Sequence, residues 1–177
     1  MNLIFWVDRK TLEKFEKFSH FCQRMFGITS FVLARIMLII IVLVLLIKFW
    51  FAAVYYQNQF FAFVQIIMLG ITYVFWTHCS TIEDEFWRSG NAVPESATPS
   101  LAPVQMFVRI YFLANVAFRS VFFEAIIARV KSIEHMFYLA DFIFPTAVLC
   151  FLYFILVRPL PPGEIRLLKP THQAIDA

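Results

Sequence analysis

Two arginines set in an apolar run are the residues of this chain best placed to do chemistry. Between Val104 and Ile126 twelve side chains are Val, Leu, Ile or Phe, yet Arg109 and Arg119 stand among them with Asn115, Ser120 and Glu124. On a helical wheel of about 100° per residue, Gln105, Arg109, Asn115, Arg119, Ser120, Glu124, Lys131 and Glu134 share one half, opposite Phe107, Ile110, Tyr111, Phe118 and Val121. A cation held among apolar helices either attracts an anion or takes a carboxylate partner. One reading of the stripe is a polar path or anion-attracting site between helices, with Glu124 and Asp141 as counter-charges. The other is a set of structural pairs and snorkelling ends, of which Arg119 reaching Asp141 on an antiparallel neighbour is the simplest. The candidate intramembrane network is Arg109, Asn115, Arg119, Ser120, Glu124 and Asp141.

Other chemistries have weaker signals. His20 with Cys22, and His78 with Cys79, are zinc-ligand types, but on a helix His20 and Cys22 project about 200° apart and neither pair has ligand spacing. Glu83-Asp84-Glu85 lacks the spaced oxygens of a calcium loop and reads as a solvated acidic segment. No Gly-rich phosphate loop, HExxH helix, GxSxG elbow or Ser-Lys arrangement occurs, so no enzyme, cofactor or metal centre is expected. The three cysteines, Cys22, Cys79 and Cys150, are odd in number and lie in or beside apolar segments, which implies no disulfide framework. A dispersed net charge of +3 argues against nucleic acid as a partner.

Composition sets the elements that must hold the stripe. The chain is 61% hydrophobic and 15% charged, against roughly 45–50% and about 25% in soluble domains. From Phe31 to Thr77 the apolar sequence is broken only by Arg35, Lys48 and Gln57-Asn58-Gln59. A hydrocarbon core about 30 Å thick takes about 20 helical residues, so this stretch fits two spans and a turn. The chain reads as an all-α integral membrane protein: an N-terminal amphipathic interfacial helix, then four transmembrane helices in two hairpins near residues 31–55, 60–77, 104–127 and 138–157. An alternative has three spans, with residues 104–136 as a surface helix. The third apolar segment gains roughly 4–7 kcal/mol from its apolar side chains and loses about 2.5–3.5 kcal/mol for each centrally placed arginine, a balance near zero.

Within residues 1–29, Leu12, Phe15, Phe18, Phe21, Cys22, Met25 and Phe26 occupy one half of the wheel, and Glu13, Glu16, Lys17, His20, Gln23 and Arg24 the other. Asp8 reads as an N-cap, Glu13 as a partner for Lys17, and Gly27 as a stop. In the hairpin 30–77, Trp50, Tyr55 and Tyr56 mark one interface and Trp76 the other. Residues 78–103 read as a polar, Pro-containing loop, 104–157 as the second hairpin with Pro145 bending its last helix, and 158–177 as a Pro-rich polar tail leaving the membrane extended.

Four spans put nine basic residues on one side (Arg9, Lys10, Lys14, Lys17, Arg24, Arg88, Arg158, Arg166, Lys169) and Lys48, Arg129 and Lys131 on the other. Both termini are therefore expected in the cytoplasm, with the protein in the plasma or inner membrane. With 23 Phe and 4 Gly, the helices present broad, bulky faces. The expected partners are the lipid bilayer and another membrane protein or a second copy of the chain. The expected role is a small non-catalytic accessory, assembly or scaffold subunit acting through helix–helix contacts. The alternative is a small oligomeric transporter or channel-like protein using the polar stripe.

Overall fold

A computed structural model describes residues 2–88, 102–127 and 132–160, with side chains in 3–88, 105–121 and 135–160. The Pro-containing segment 89–101 and the tail 161–177 lie outside these residues. All regular structure among the described residues is helical: α1 (Asn2–Phe26), α2 (Ser30–Trp50), a π-helical turn (Phe51–Tyr55), α3 (Gln59–Arg88), α4 (Ala102–Ile127) and α5 (Ser132–Phe154). Three of these stretches are long and apolar enough to cross a membrane: Ser30–Tyr55, Gln59–Arg88 and His135–Phe154.

Local chemistry sets the breaks between helices. Gly27 adopts φ +69, a left-handed conformation that suits glycine, and its N–H closes the last turn of α1 on the Gln23 carbonyl at 3.0 Å. Thr29 then caps α2, its hydroxyl accepting from the Val32 N–H at 3.4 Å. At the far end the chain widens into the π-turn, and Gln57 at φ +51 reverses it. Asn58 caps α3 by accepting from the Phe61 N–H at 3.0 Å.

Polar contacts fix the packing order. Ser30 donates to the Val157 carbonyl at 2.8 Å, and Lys48 reaches Asp141 at 2.8 Å, so α2 and α5 run antiparallel along most of their length. Arg35 reaches Glu83, so α3 returns antiparallel along α2, and its Phe75 also reaches Phe151 of α5, edge-on at 5.7 Å. Arg109 lies at Tyr153 and Arg119 at Asp141, so α4 runs antiparallel along α5. The four helices thus line up in the order α3, α2, α5, α4, and α1 crosses one end, touching α2, α4 and α5. The core lies between α2 and α5, around Ala34, Leu38, Ile41, Leu45, Ala147 and Phe151. Only 17% of the most apolar stretch of α3 is buried, against 44% in α2, so α3, like α4 at the other end of the row, is a peripheral helix.

Three sequence expectations need correction in these helices. The loop expected from residue 78 begins later, because α3 stays helical through His78 to Arg88. Its inward positions in this extension, Cys79, Ile82, Glu83 and Phe86, recur at helical spacing and pack against α2, with Phe86 edge-on to Phe31 at 5.7 Å. Asp8 is no N-cap: α1 already begins at Asn2, so Asp8 sits inside the helix and faces the bundle. Glu13, in turn, pairs with Arg9 and Lys10.

The α2–α5 interface is dense where side chains are small. Ala34 is 0% exposed, whereas Gly70 on α3 has no atom within 4 Å of where a Cβ would stand. Ala34→Leu should cost about 1–3 kcal/mol by overpacking, read as a lower unfolding temperature in detergent, while Gly70→Leu should leave that temperature unchanged.

Candidate functional site

Among the described residues four cations enter the apolar part of the bundle, and each meets a carboxylate on a helix other than its own. Arg35 on α2 contacts Glu83 on α3 at 2.6 Å; Lys48 on α2 contacts Asp141 on α5 at 2.8 Å; Arg109 on α4 contacts Asp8 on α1 at 2.6 Å; Arg119 on α4 contacts Asp141. All five helices are joined by these pairs. The reason is dielectric: an unpaired charge in an apolar environment loses several kcal/mol of hydration, and a close counter-charge offsets that loss. Three of the pairs are also hydrogen-bonded, whereas Arg35 donates to the Ser80 hydroxyl at 3.3 Å and approaches Glu83 by charge alone.

The stripe expected as one network divides into two clusters, because Arg109 and Arg119 are ten positions apart, about 15 Å along a helix. Arg109 joins the first. Its Nε and Nη2 donate to the two oxygens of Asp8 at 3.0 and 2.6 Å, and the Tyr153 hydroxyl donates to Asp8 at 2.8 Å. The guanidinium lies 5.6 Å from the centre of the Tyr153 ring, whose other neighbour is Phe15, stacked at 4.8 Å. Asp8 and Arg109 are each 8% exposed and Tyr153 is 0% exposed, so the cluster is closed to solvent. Burial pushes the Asp8 carboxyl up, but hydrogen bonds from Arg109 and Tyr153 and the Arg109 charge outweigh it and hold the group below its ordinary value of 3.8.

Arg119 belongs to the second cluster. Its Nε donates to Asn115 at 2.8 Å, and its Nη1 donates to both the carboxylate and the main-chain carbonyl of Asp141, the latter at 3.0 Å. That carbonyl is available for a physical reason. Pro145, four residues on, lies inside α5 and has no N–H to give it, so the guanidinium of a neighbouring helix takes the place of the missing donor. Lys48 completes the cluster, its ammonium 5.8 and 5.5 Å from the ring centres of Phe137 and Phe144.

Ser120 is not part of either cluster. It is exposed and donates to the Val116 carbonyl of its own helix at 2.7 Å. The side chain of Glu124 lies outside the described residues. Trp50, Tyr55, Tyr56 and Trp76 are all exposed, the first three at one end of the bundle and Trp76 toward the other. His20 donates to the Arg158 carbonyl at 3.0 Å, while Cys22 and Cys79 are buried in the apolar core. Among the described residues no group of three or more His, Cys, Asp or Glu is placed to hold a metal ion. The Gln23 amide, which the wheel had put on the solvent side, is 1% exposed and clamps Leu160, accepting from its N–H at 2.7 Å and donating to its carbonyl at 3.0 Å.

Asp8, Lys48 and Tyr153 escape the wheel of α4 because they join the clusters of Arg109 and Arg119 from other helices, and Glu83 escapes it because its partner, Arg35, lies on α2. A charge-balance rule would have pointed to two of them: each buried arginine needs a carboxylate, and Asp8 and Glu83 lie at the same end of the hairpins as Arg109 and Arg35. No protein-family model, curated protein or solved structure matches this chain.

Two outcomes follow from this geometry. Asp141→Asn strips the counter-charge from Lys48 and Arg119 together. It should lower stability by about 2–3 kcal/mol, less than the about 3–5 of a fully buried pair, since Asp141 and Arg119 are 30% and 36% exposed. Lys48→Met, which leaves Arg119 paired, should cost less in the same unfolding assay. The second outcome concerns acid. A carboxyl lowered by folding stabilises the folded state fully above its ordinary value and stops doing so as pH falls through its folded value. Detachment of α1, read as pepsin cleavage within residues 2–26, should therefore begin only below about pH 4, and in Asp8→Asn it should be present already at pH 5.

Proposed function

We propose that this protein is a small multi-pass membrane subunit without catalytic activity, an accessory, assembly or scaffold component that works through helix–helix contacts. The observation that carries this reading is the pairing of Arg35, Lys48, Arg109 and Arg119 with carboxylates on neighbouring helices. Charges engaged in this way hold helices in register and leave little to polarise a substrate or relay a proton. The exposure of α3 supports the same reading, since a helix that packs on one side only keeps its remaining apolar surface for lipid, another membrane protein or a second copy.

In this reading α4 is a fourth span. Its 26 residues extend about 39 Å, and from Arg109 beside Tyr153 to Arg119 beside Asp141 it keeps level with α5. α1 is an interfacial helix on the cytoplasmic side of the plasma or inner membrane, and both termini face that side. Small oligomeric transport along the α4 stripe is the competing function, and it requires polar groups turned to a water-filled route. The closed Asp8–Arg109–Tyr153 cluster favours the accessory role over it.

Purification in mild detergent should yield a stoichiometric membrane partner or a defined oligomer, and a monodisperse monomer would contradict the role. Reporters fused after residue 132 and at the C-terminus should report outside and inside respectively. Arg119→Ala should reduce folded protein; expression left intact with loss of solute flux in vesicles would favour transport instead.

A further inference from the structure

α1 divides its circumference among three environments. The sector carrying Asp8, Phe15, Ser19 and Cys22 turns to the bundle, where Asp8, Ser19 and Cys22 are buried. A second sector holds Arg9, Glu13, Glu16, His20 and Arg24. Between them, within about 100° of the wheel, lie Lys10, Lys14, Lys17, Phe18, Phe21 and Met25. The three apolar members of this last sector are 52%, 54% and 63% exposed, and the lysines are exposed beside them. Large apolar side chains do not remain uncovered in water when they form one contiguous flank. Lysines interleaved with them exclude a dry protein interface as the natural cover, because each ammonium would lose its hydration there.

We propose that this flank of α1 is a binding surface for anionic phospholipid headgroups of the cytoplasmic leaflet, deepening the interfacial placement of α1 proposed above. Phe18, Phe21 and Met25 enter the acyl boundary, and Lys10, Lys14 and Lys17 extend their methylene stems along them to reach the phosphates. Charge complementarity selects the lipid class. The exposed part of α1 carries Arg9, Lys10, Lys14, Lys17 and Arg24 against Glu13 and Glu16, a surplus of three positive charges, because Asp8 is already neutralised by Arg109. Glu13 is engaged with Arg9 and Lys10 of its own helix, which leaves Lys14 and Lys17 the clearest phosphate contacts. Held to the bundle by Asp8 and Gln23, the flank needs no folding on contact; it is presented to the headgroup layer already ordered.

The full chain, reconstituted in an equal mixture of phosphatidylcholine and phosphatidylglycerol, is released into the gas phase and its retained lipids are weighed by native mass spectrometry. Wild type should retain phosphatidylglycerol in preference, and the triple variant K10Q/K14Q/K17Q should lose at least about fivefold of that preference, the worth of a single basic residue at an anionic surface. A wild type without preference, or a triple variant that keeps it, overturns the proposal. An environment-sensitive fluorophore at Phe21→Cys provides an independent measurement, the native cysteines being buried or half-buried. Its emission should be quenched by brominated acyl chains. Quenching by aqueous iodide alone would put the flank in water and overturn the interfacial placement as well. Shielding from both quenchers would mean that protein covers the flank, overturning the lipid proposal while leaving the accessory role standing.

Discussion

A charge inside an apolar slab must find its opposite on another helix, and the arrangement of this protein follows from that requirement. Arg35, Lys48, Arg109 and Arg119 cannot all escape to water, because they are carried on helices in which Ile, Leu, Val and Phe predominate. Each therefore chooses a neighbour: Glu83 on α3, Asp141 on α5, Asp8 on α1. Dispersion between bulky side chains is nearly indifferent to which greasy faces meet, as lipid tails compete on equal terms. Ion pairs are not indifferent, and a wrong register leaves two uncompensated charges.

That selectivity matters in a chain with so few small residues. Only 4 glycines occur in 177 positions, so close backbone approach is confined to places such as Ala34 and Ala147 between α2 and α5. Elsewhere the helices are separated by rings, as where Phe51 and Tyr56 meet Phe137 edge-on at 5.8 and 5.7 Å. Looser faces permit sliding, and the polar contacts at both ends of α5 oppose it: Asp141 with Lys48 and Arg119 at one end, Tyr153 with Asp8 and Val157 with Ser30 at the other. Pro145 adds a directional element, since the carbonyl it leaves without a donor is the one Arg119 occupies. α1 is thereby part of the bundle rather than an appendage, bolted at Asp8 and again at Gln23.

Much of this could be read from residue types alone, and what could not has a common cause. The helices Ser30–Tyr55 and His135–Phe154 and the turn at Gln57-Asn58-Gln59 follow from hydropathy and turn chemistry, which are local. The meeting of Arg119 with Asp141 follows from depth on antiparallel neighbours. Asp8 and Gln23 were misread for the same reason as each other. Local pattern makes Asp8 a cap and puts Gln23 in water, yet both are buried because their hydrogen-bond partners, Arg109, Tyr153 and Leu160, come from more than a hundred residues away. The extension of α3 to Arg88 was hidden likewise: His78 to Glu85 is polar enough for a loop, and only packing of Cys79, Ile82 and Phe86 against α2 makes it helix.

The most direct test of paired charges as the organising constraint is a double-mutant cycle on the most buried pair, Asp8→Leu and Arg109→Met, read by thermal unfolding of the full chain in detergent. Each single substitution leaves one buried charge alone and should cost about 3–5 kcal/mol, while the double substitution, with no charge to desolvate, should recover at least half of the summed loss. Losses that simply add, or single substitutions that cost nothing, would contradict it.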